Sequence, residues 1–283
     1  MASSFFAALW ASDCAYGRLS LLDSREEGAF DSCQWVYSEV DMNLEGGLGD
    51  VTAIQNIAIA QNTDGKLSAT YHADGEQIWV LIQTGFSNEF KAFLISDTGV
   101  STTPVISNIG LPASGNSTMK VSPDGTKLAT ANPTFLPDKN IQVFNFNNET
   151  GEVTSSLLSI IAADLPGELF GCMGIKFSPN SRFIYTTSAF SGKIYQYDLA
   201  AGTEQQIKDS QIAIGQSTTD VNNVLQIAPD GKIYVAHGGF VLSLPDDPYL
   251  GTSSTLNVIE YPNNAGLASG FVQDAIDLGE GRT

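Results

Sequence analysis

Apolar and polar positions alternate along this chain in a phrase that occurs four times. Residues 121–133 read "VSPDGTKLATANP": an apolar lead-in, a Ser-Pro-Asp-Gly turn, then a second alternating run. The same order returns as "FSPNSRFIYTTSAF" and "IAPDGKIYVAHGGF", and earlier as "YHADGEQIWVLIQ". Its turn positions, Asp74, Asp124, Asn180 and Asp230, are separated by 50, 56 and 50 residues. A second phrase keeps phase with it: "AFLISDTG", "VFNFNNETG", "IYQYDLAAG" and "NVIEYPNNAG", with an earlier copy in "VYSEVDMNLEGG". Self-similarity at such a period marks a repeat architecture.

Each unit reads as four short strands. Pro123 fixes φ at one turn position, Asp124 suits the next, and Gly125 can take the left-handed angle that follows. A hairpin therefore joins an inner strand ending at Val121 to "KLATA", and "IQVFNF" follows as a third strand of period two. A turn through Asn148 to Gly151 leads to an outer strand, "VTSSLLSII". Four antiparallel strands per unit is the arithmetic of a propeller blade, whereas a solenoid of helices would show helical periodicity in every repeat. The predicted fold is all-β: one propeller domain of about five four-stranded antiparallel blades. Residues 1–60 form an irregular first blade, followed by 61–113, 114–165, 166–217 and 218–283. Five blades close a ring only tightly, so a fragment of a longer propeller is the accompanying expectation.

Composition changes this picture little. With 283 residues, of which 42% are hydrophobic and 16% charged, the chain has the balance of a globular domain with a sizeable core. Charge is more telling. A formal net charge of -18 repels phosphate backbones and anionic lipid, which argues against nucleic-acid partners and membrane insertion. No run of apolar residues reaches membrane-spanning length. Cys14, Cys33 and Cys172 show no C-x-x-C spacing, and a bridge between Cys14 and Cys33 stays open. The acidic balance leaves calcium open as a ligand, although no EF-hand loop is present; no cofactor is otherwise called for.

The stretches "YSEVDMNLEGGLGDV" and "GKLSATYHADGEQIWVLI", with the closing "YPNNAGLASGFVQDAIDLGEGR", resemble the propeller region of large Bacteroidetes surface proteins. Those proteins, of gliding-motility and PKD-domain type, are exported by the type IX secretion system. The resemblance spans roughly residues 35–283. It implies a secreted or cell-surface location and further domains of a longer parent chain, and it carries over no catalytic residue.

The residues themselves offer no nucleophile elbow, zinc-protease helix or phosphate loop. His72 and His237 fall at opposite ends of their hairpins, which argues against a shared metal site and for histidines satisfied by nearby backbone. Counting from each turn Asp or Asn, an aromatic recurs after 12, 11, 10 and 10 residues: Phe86, Phe135, Phe190 and Phe240. All lie near the loop between the second and third strands, either packing between blades or forming an exposed rim. The long insertion "VLSLPDDPYLGTSS" puts Asp246, Asp247 and Tyr249 at the same end, and Asp138 belongs to the corresponding loop of the third blade. Loops on a rigid scaffold are where binding usually resides.

These observations predict a non-catalytic binding or scaffold module of an adhesion-type protein, gripping a glycan or protein ligand through that loop face. Two alternatives stand beside it. One is a propeller hydrolase or lactonase using a divalent cation; the other is a structural spacer.

Overall fold

The repeating turn decides the local structure. In the computed structural model, Gly75, Gly125 and Gly231 take left-handed φ values of 75°, 69° and 78°, and Ser181 takes the same position at 59°. Asp124 Oδ1 accepts from Ser122 Oγ (2.5 Å) and from the Thr126 backbone N–H (3.0 Å), while Ser122 Oγ accepts from Lys127 N–H (2.9 Å). Ser178, Asn180 and Phe183 repeat this arrangement one unit later. A short polar side chain folded onto its own backbone closes each hairpin and fixes the register of the strands that leave it.

The structure describes residues 5–12, 34–61, 63–112, 118–132, 140–161, 172–188, 191–217, 221–238 and 254–279. They form five antiparallel sheets in chain order. The first holds β1 (Phe5–Ser12), β2 (Gln34–Asp41), β3 (Asp50–Val51) and β4 (Ile57–Gln61), the last two both pairing with β2. The second runs β5 (Thr63–Tyr71), β6 (Ile78–Thr84) and β7 (Glu89–Ser96), with β8 (Gly99–Val100) and β9 (Val105–Asn108) sharing the outer edge of β7. The third is β10 (Thr118–Val121), β11 (Lys127–Asn132), β12 (Asn140–Asn147) and β13 (Glu152–Ile161). The fourth is β14 (Cys172–Phe177), β15 (Phe183–Ser188), β16 (Lys193–Asp198) and β17 (Ile212–Gln216). The fifth is β18 (Val221–Ile227), β19 (Ile233–Gly238), β20 (Thr255–Ile259) and β21 (Phe271–Asp277).

In the last four sheets the first strand is innermost, and β5, β10, β14 and β18 pack side by side in that order. This is the arrangement of propeller blades around an axis. Between the third and fourth strands of the fourth sheet the chain makes a six-residue helix, α1 (Glu204–Asp209), started by a capping box of Thr203 and Gln206.

Among the described residues, four apolar clusters hold the sheets together, one at each successive pair. Trp35 and Ala60 meet Ile82 and Phe93; Leu81 and Phe90 meet Met119 and Phe144. Val143 and Leu158 meet Ile175 and Phe177; Tyr185 and Ile194 meet Leu225 and Val235. Hydrogen bonds stitch the turn end of one sheet to the next. Asn148 O accepts from Ala73 N–H (3.0 Å) and from the Trp79 indole (2.9 Å), Asp124 N–H donates to Ser181 Oγ (3.1 Å), and Asn180 N–H donates to Asn263 Oδ1 (2.9 Å).

Not every polar contact carries weight. Arg182 grips Asp198 with two bonds of 3.0 and 2.7 Å and lies over the Phe183 ring, yet its side chain is 52% exposed. Arg182→Ala is expected to leave the urea unfolding midpoint nearly unchanged, because water screens such a pair; a clear drop in the midpoint would show the pair to be structural.

Candidate functional site

Strand alternation places a polar row at the axis. On β14, Ile175 and Phe177 point into the cluster shared with the third sheet. Lys176 between them therefore points the other way. Its Nζ donates to Gln226 Oε1 of the fifth sheet (3.4 Å), and the Gln226 amide nitrogen is held by Ile227 O (3.2 Å). On β10, Met119 and Val121 pack toward the second sheet, which turns Lys120 toward the fourth. Ser68 on β5 accepts from Val121 N–H (3.0 Å). Thr70, Lys120, Lys176 and Gln226 thus occupy one register position on four neighbouring inner strands, immediately before the turn phrase.

A cavity of about 400 Å³ opens at this end of the inner strands. Thr70, Tyr71, Val121, Phe177 and Ile227 line it, and Lys176 is the one charged side chain on its wall among the described residues. Burial, joined by the charge of nearby Lys120, pushes the Lys176 ammonium down to about 8. Burial alone holds Lys120 below the ordinary lysine range. Among the described residues no carboxylate contributes to either shift. Two cationic groups to whose shifts no described carboxylate contributes form an acceptor for an anion or a developing negative charge.

The loop face expected to bind ligand is only partly within reach. Phe86 stands in the β6–β7 turn, 58% exposed, with a left-handed φ of 53°. Phe135, Asp138, Phe190, Phe240, Asp246, Asp247 and Tyr249 lie outside the described residues, as do Cys14 and Cys33. Cys172 is buried.

The two histidines lie at opposite ends of their hairpins. His72 Nε2 bonds Glu149 O of the neighbouring sheet's turn (3.0 Å) and its Nδ1 accepts from the nearby Asp74 N–H (3.1 Å), so backbone groups of two sheets satisfy it. His237 is buried against side chains instead, 3.1 Å from Thr255 Oγ1, which donates to Asp274 (2.6 Å). Burial lowers its pKa, with the Asp274 carboxylate opposing that shift. Among the described residues no three His, Cys, Asp or Glu side chains cluster as metal ligands.

The axial row escapes a search for motifs because Lys and Gln in a strand read as solvated positions. Its one signal is register: "KVSPD", "KFSPN", "QIAPD" and "TYHAD" place a polar residue at the same step of each repeat.

No protein-family model and no curated protein matches the chain. Solved structures do. A periplasmic gluconolactonase of Pseudomonas aeruginosa aligns with a TM-score of 0.52 at 14% identity, over 93% of this chain and 66% of that one. A protein from Lactobacillus plantarum aligns with a TM-score of 0.53 at 14% identity, over 87% and 66%. A 6-phosphogluconolactonase-like protein of Bacteroides fragilis gives 0.48 at 12%, over 80% and 60%. The chain thus spans under two thirds of the length of these neighbours. At such identities the likeness is one of fold, and it supports the propeller. It also corrects the expectation of a non-catalytic binding or scaffold module. The fold is one that a gluconolactonase uses, and among the described residues a cavity lies at the end of the inner strands with Thr70 and Lys176 on its wall.

Proposed function

We propose that the protein is a hydrolase of small cyclic esters, acting at the axial cavity. The observation that carries this reading is the pairing of Lys176 and Lys120 beside a cavity of about 400 Å³, on a fold shared with a gluconolactonase. This is the hydrolase alternative of the sequence reading, with lysines in the place given there to a divalent cation.

The chemistry follows from the two amines. A lactone carbonyl must be attacked by water, which loses a proton as the C–O bond forms. Neutral Lys176 accepts that proton, and Gln226 Oε1 keeps the amine oriented at the cavity wall. Negative charge gathers on the carbonyl oxygen, and the charge of Lys120, felt at Lys176 from the adjacent inner strand, offsets it. Collapse of the tetrahedral species breaks the ring C–O bond, and the Lys176 ammonium returns its proton to the leaving alkoxide. The open hydroxy acid then departs as its carboxylate. With Lys176 near 8, about a tenth of the chains hold the active neutral amine at pH 7.

The test is a set of γ- and δ-lactones, gluconolactone among them, followed by acid release against the spontaneous rate. Turnover that falls about a hundredfold or more in Lys176→Met, with melting temperature retained, is the expected result. Wild-type rates equal to buffer alone across the set, or full activity in Lys176→Met, would sink the proposal.

A further inference from the structure

The geometry around Lys176 points to a second capacity: we propose that this amine captures small α-keto acids as a reversible Schiff base. The inference rests on the cavity itself and goes beyond ester hydrolysis. A lysine is a useful carbonyl nucleophile when it is held free of a carboxylate, beside another cation and inside an apolar wall. All three conditions meet here. Tyr71, Val121, Phe177 and Ile227 supply the wall, and no carboxylate contributes to the Lys176 shift among the described residues. Lys120 supplies the second cation, on the adjacent inner strand. Gln226 holds the amine by accepting one of its N–H bonds, which leaves the lone pair of the neutral form for the carbonyl.

The second cation also selects the carbonyl. A keto acid carries a carboxylate one carbon from its ketone, so its negative charge arrives at Lys176 within the field of Lys120, which acts from the adjacent inner strand. A neutral aldehyde lacks that charge. In the capture step the nitrogen lone pair forms a C–N bond while the carbonyl π pair moves to oxygen. Proton transfer from nitrogen to oxygen gives a carbinolamine, whose hydroxyl takes one proton from solvent and leaves as water to give the iminium. Water reverses each step, and neither oxidant nor reductant takes part.

Trapping tests it directly. The purified full chain is incubated with pyruvate and cyanoborohydride at pH 7.5, then examined by intact mass and peptide mapping. Hydride adds to the iminium carbon and makes the adduct permanent. One reduced pyruvyl group at Lys176 is expected, because its pKa near 8 gives about two orders of magnitude more free amine than an ordinary lysine. Lys176→Arg should abolish that adduct. Lys120→Met should slow trapping of pyruvate far more than trapping of butyraldehyde, a difference that loss of fold would not produce. Labelling spread over the surface lysines, or an adduct that persists in Lys176→Arg, would overturn the proposal. So would equal losses for both carbonyls in Lys120→Met. Trapping and lactone turnover are read separately, so failure of one leaves the other standing.

Discussion

Gly151→Ala is expected to lower stability by about 2–4 kcal/mol, and the melting temperature by roughly 5–10 °C. Two effects add at this position. Gly151 sits at φ 78°, a conformation that costs an alanine about 1 kcal/mol. A Cβ there would also stand 2.8–2.9 Å from three carbons of the Trp79 indole, well inside contact distance. Trp79 has nowhere to go. It is only 5% exposed, it packs in the cluster between the second and third sheets, and its N–H is tied to Asn148 O. The turn before Gly151 is the one that receives Ala73 and His72 from the neighbouring sheet, so any shift of it loosens the join. Gly75→Ala is the control. Its φ is 75°, and a Cβ there would meet nothing within 4 Å, so it should show only the backbone cost of about 1 kcal/mol. Pairing Gly151→Ala with Trp79→Leu should recover part of the loss, since the clash partner is gone. Equal losses for Gly75→Ala and Gly151→Ala, or strict additivity in the pair, would show that the indole contact is not what matters.

That prediction draws on features the sequence displays openly. A Pro-Asp-Gly turn announces its geometry through residue types that few other conformations use, and strand alternation follows from the apolar pattern around it. The inner strands ending at Val121, Phe177 and Ile227 therefore stand where the repeat puts them. Three features were less legible. The outer edge of the second sheet is shared between β8 and β9, with Gly99 at φ 109° opening the two-residue β8. Residues 45–47 form a 3-10 turn with Gly46 at φ 70°, where the repeat alone gives no element. Helix α1 is announced only by the Thr203–Gln206 capping pair, too short a signal to compete with a strand pattern.

The axial site was hidden for a different reason. Lys120 and Lys176 are 56 residues apart, and Gln226 is 50 further on. What joins them is the ring arrangement of inner strands. A sequence shows that a position alternates, but not that four alternating positions from four sheets converge. Aromatic residues and loop carboxylates stand out in the sequence, and they point to the loop rim. The groups whose acidity the fold changes most visibly at the axis are ordinary strand lysines.

The pH profile of the axial site should separate a working amine from a lysine that only fills space. Lactone turnover is expected to rise with pH and reach half its plateau near 8, where burial and the Lys120 charge place the Lys176 ammonium. Lys120→Met removes one of those two causes. The Lys176 pKa then moves up toward its usual value, the rising limb shifts to higher pH, and the rate at pH 7 falls although Lys176 is intact. Stability should follow the same group. Lys176 titrates near 8 in the folded chain and near the ordinary 10.5 when unfolded. Between those values the unfolded chain binds more protons, so the contribution of Lys176 to stability rises with pH across that window. Below about 8 both states hold the proton, and the cost of the buried charge is present in full. Lys176→Met should therefore abolish turnover, leave or raise stability at pH 7, and flatten the rise in melting temperature between pH 8 and 10. A lysine with a purely packing role would give the opposite pattern: a destabilised Met variant and a wild-type rate that ignores pH in this range. A rising limb that stays in place in Lys120→Met would remove the charge coupling between the two lysines, and with it the account of why this amine is free to act.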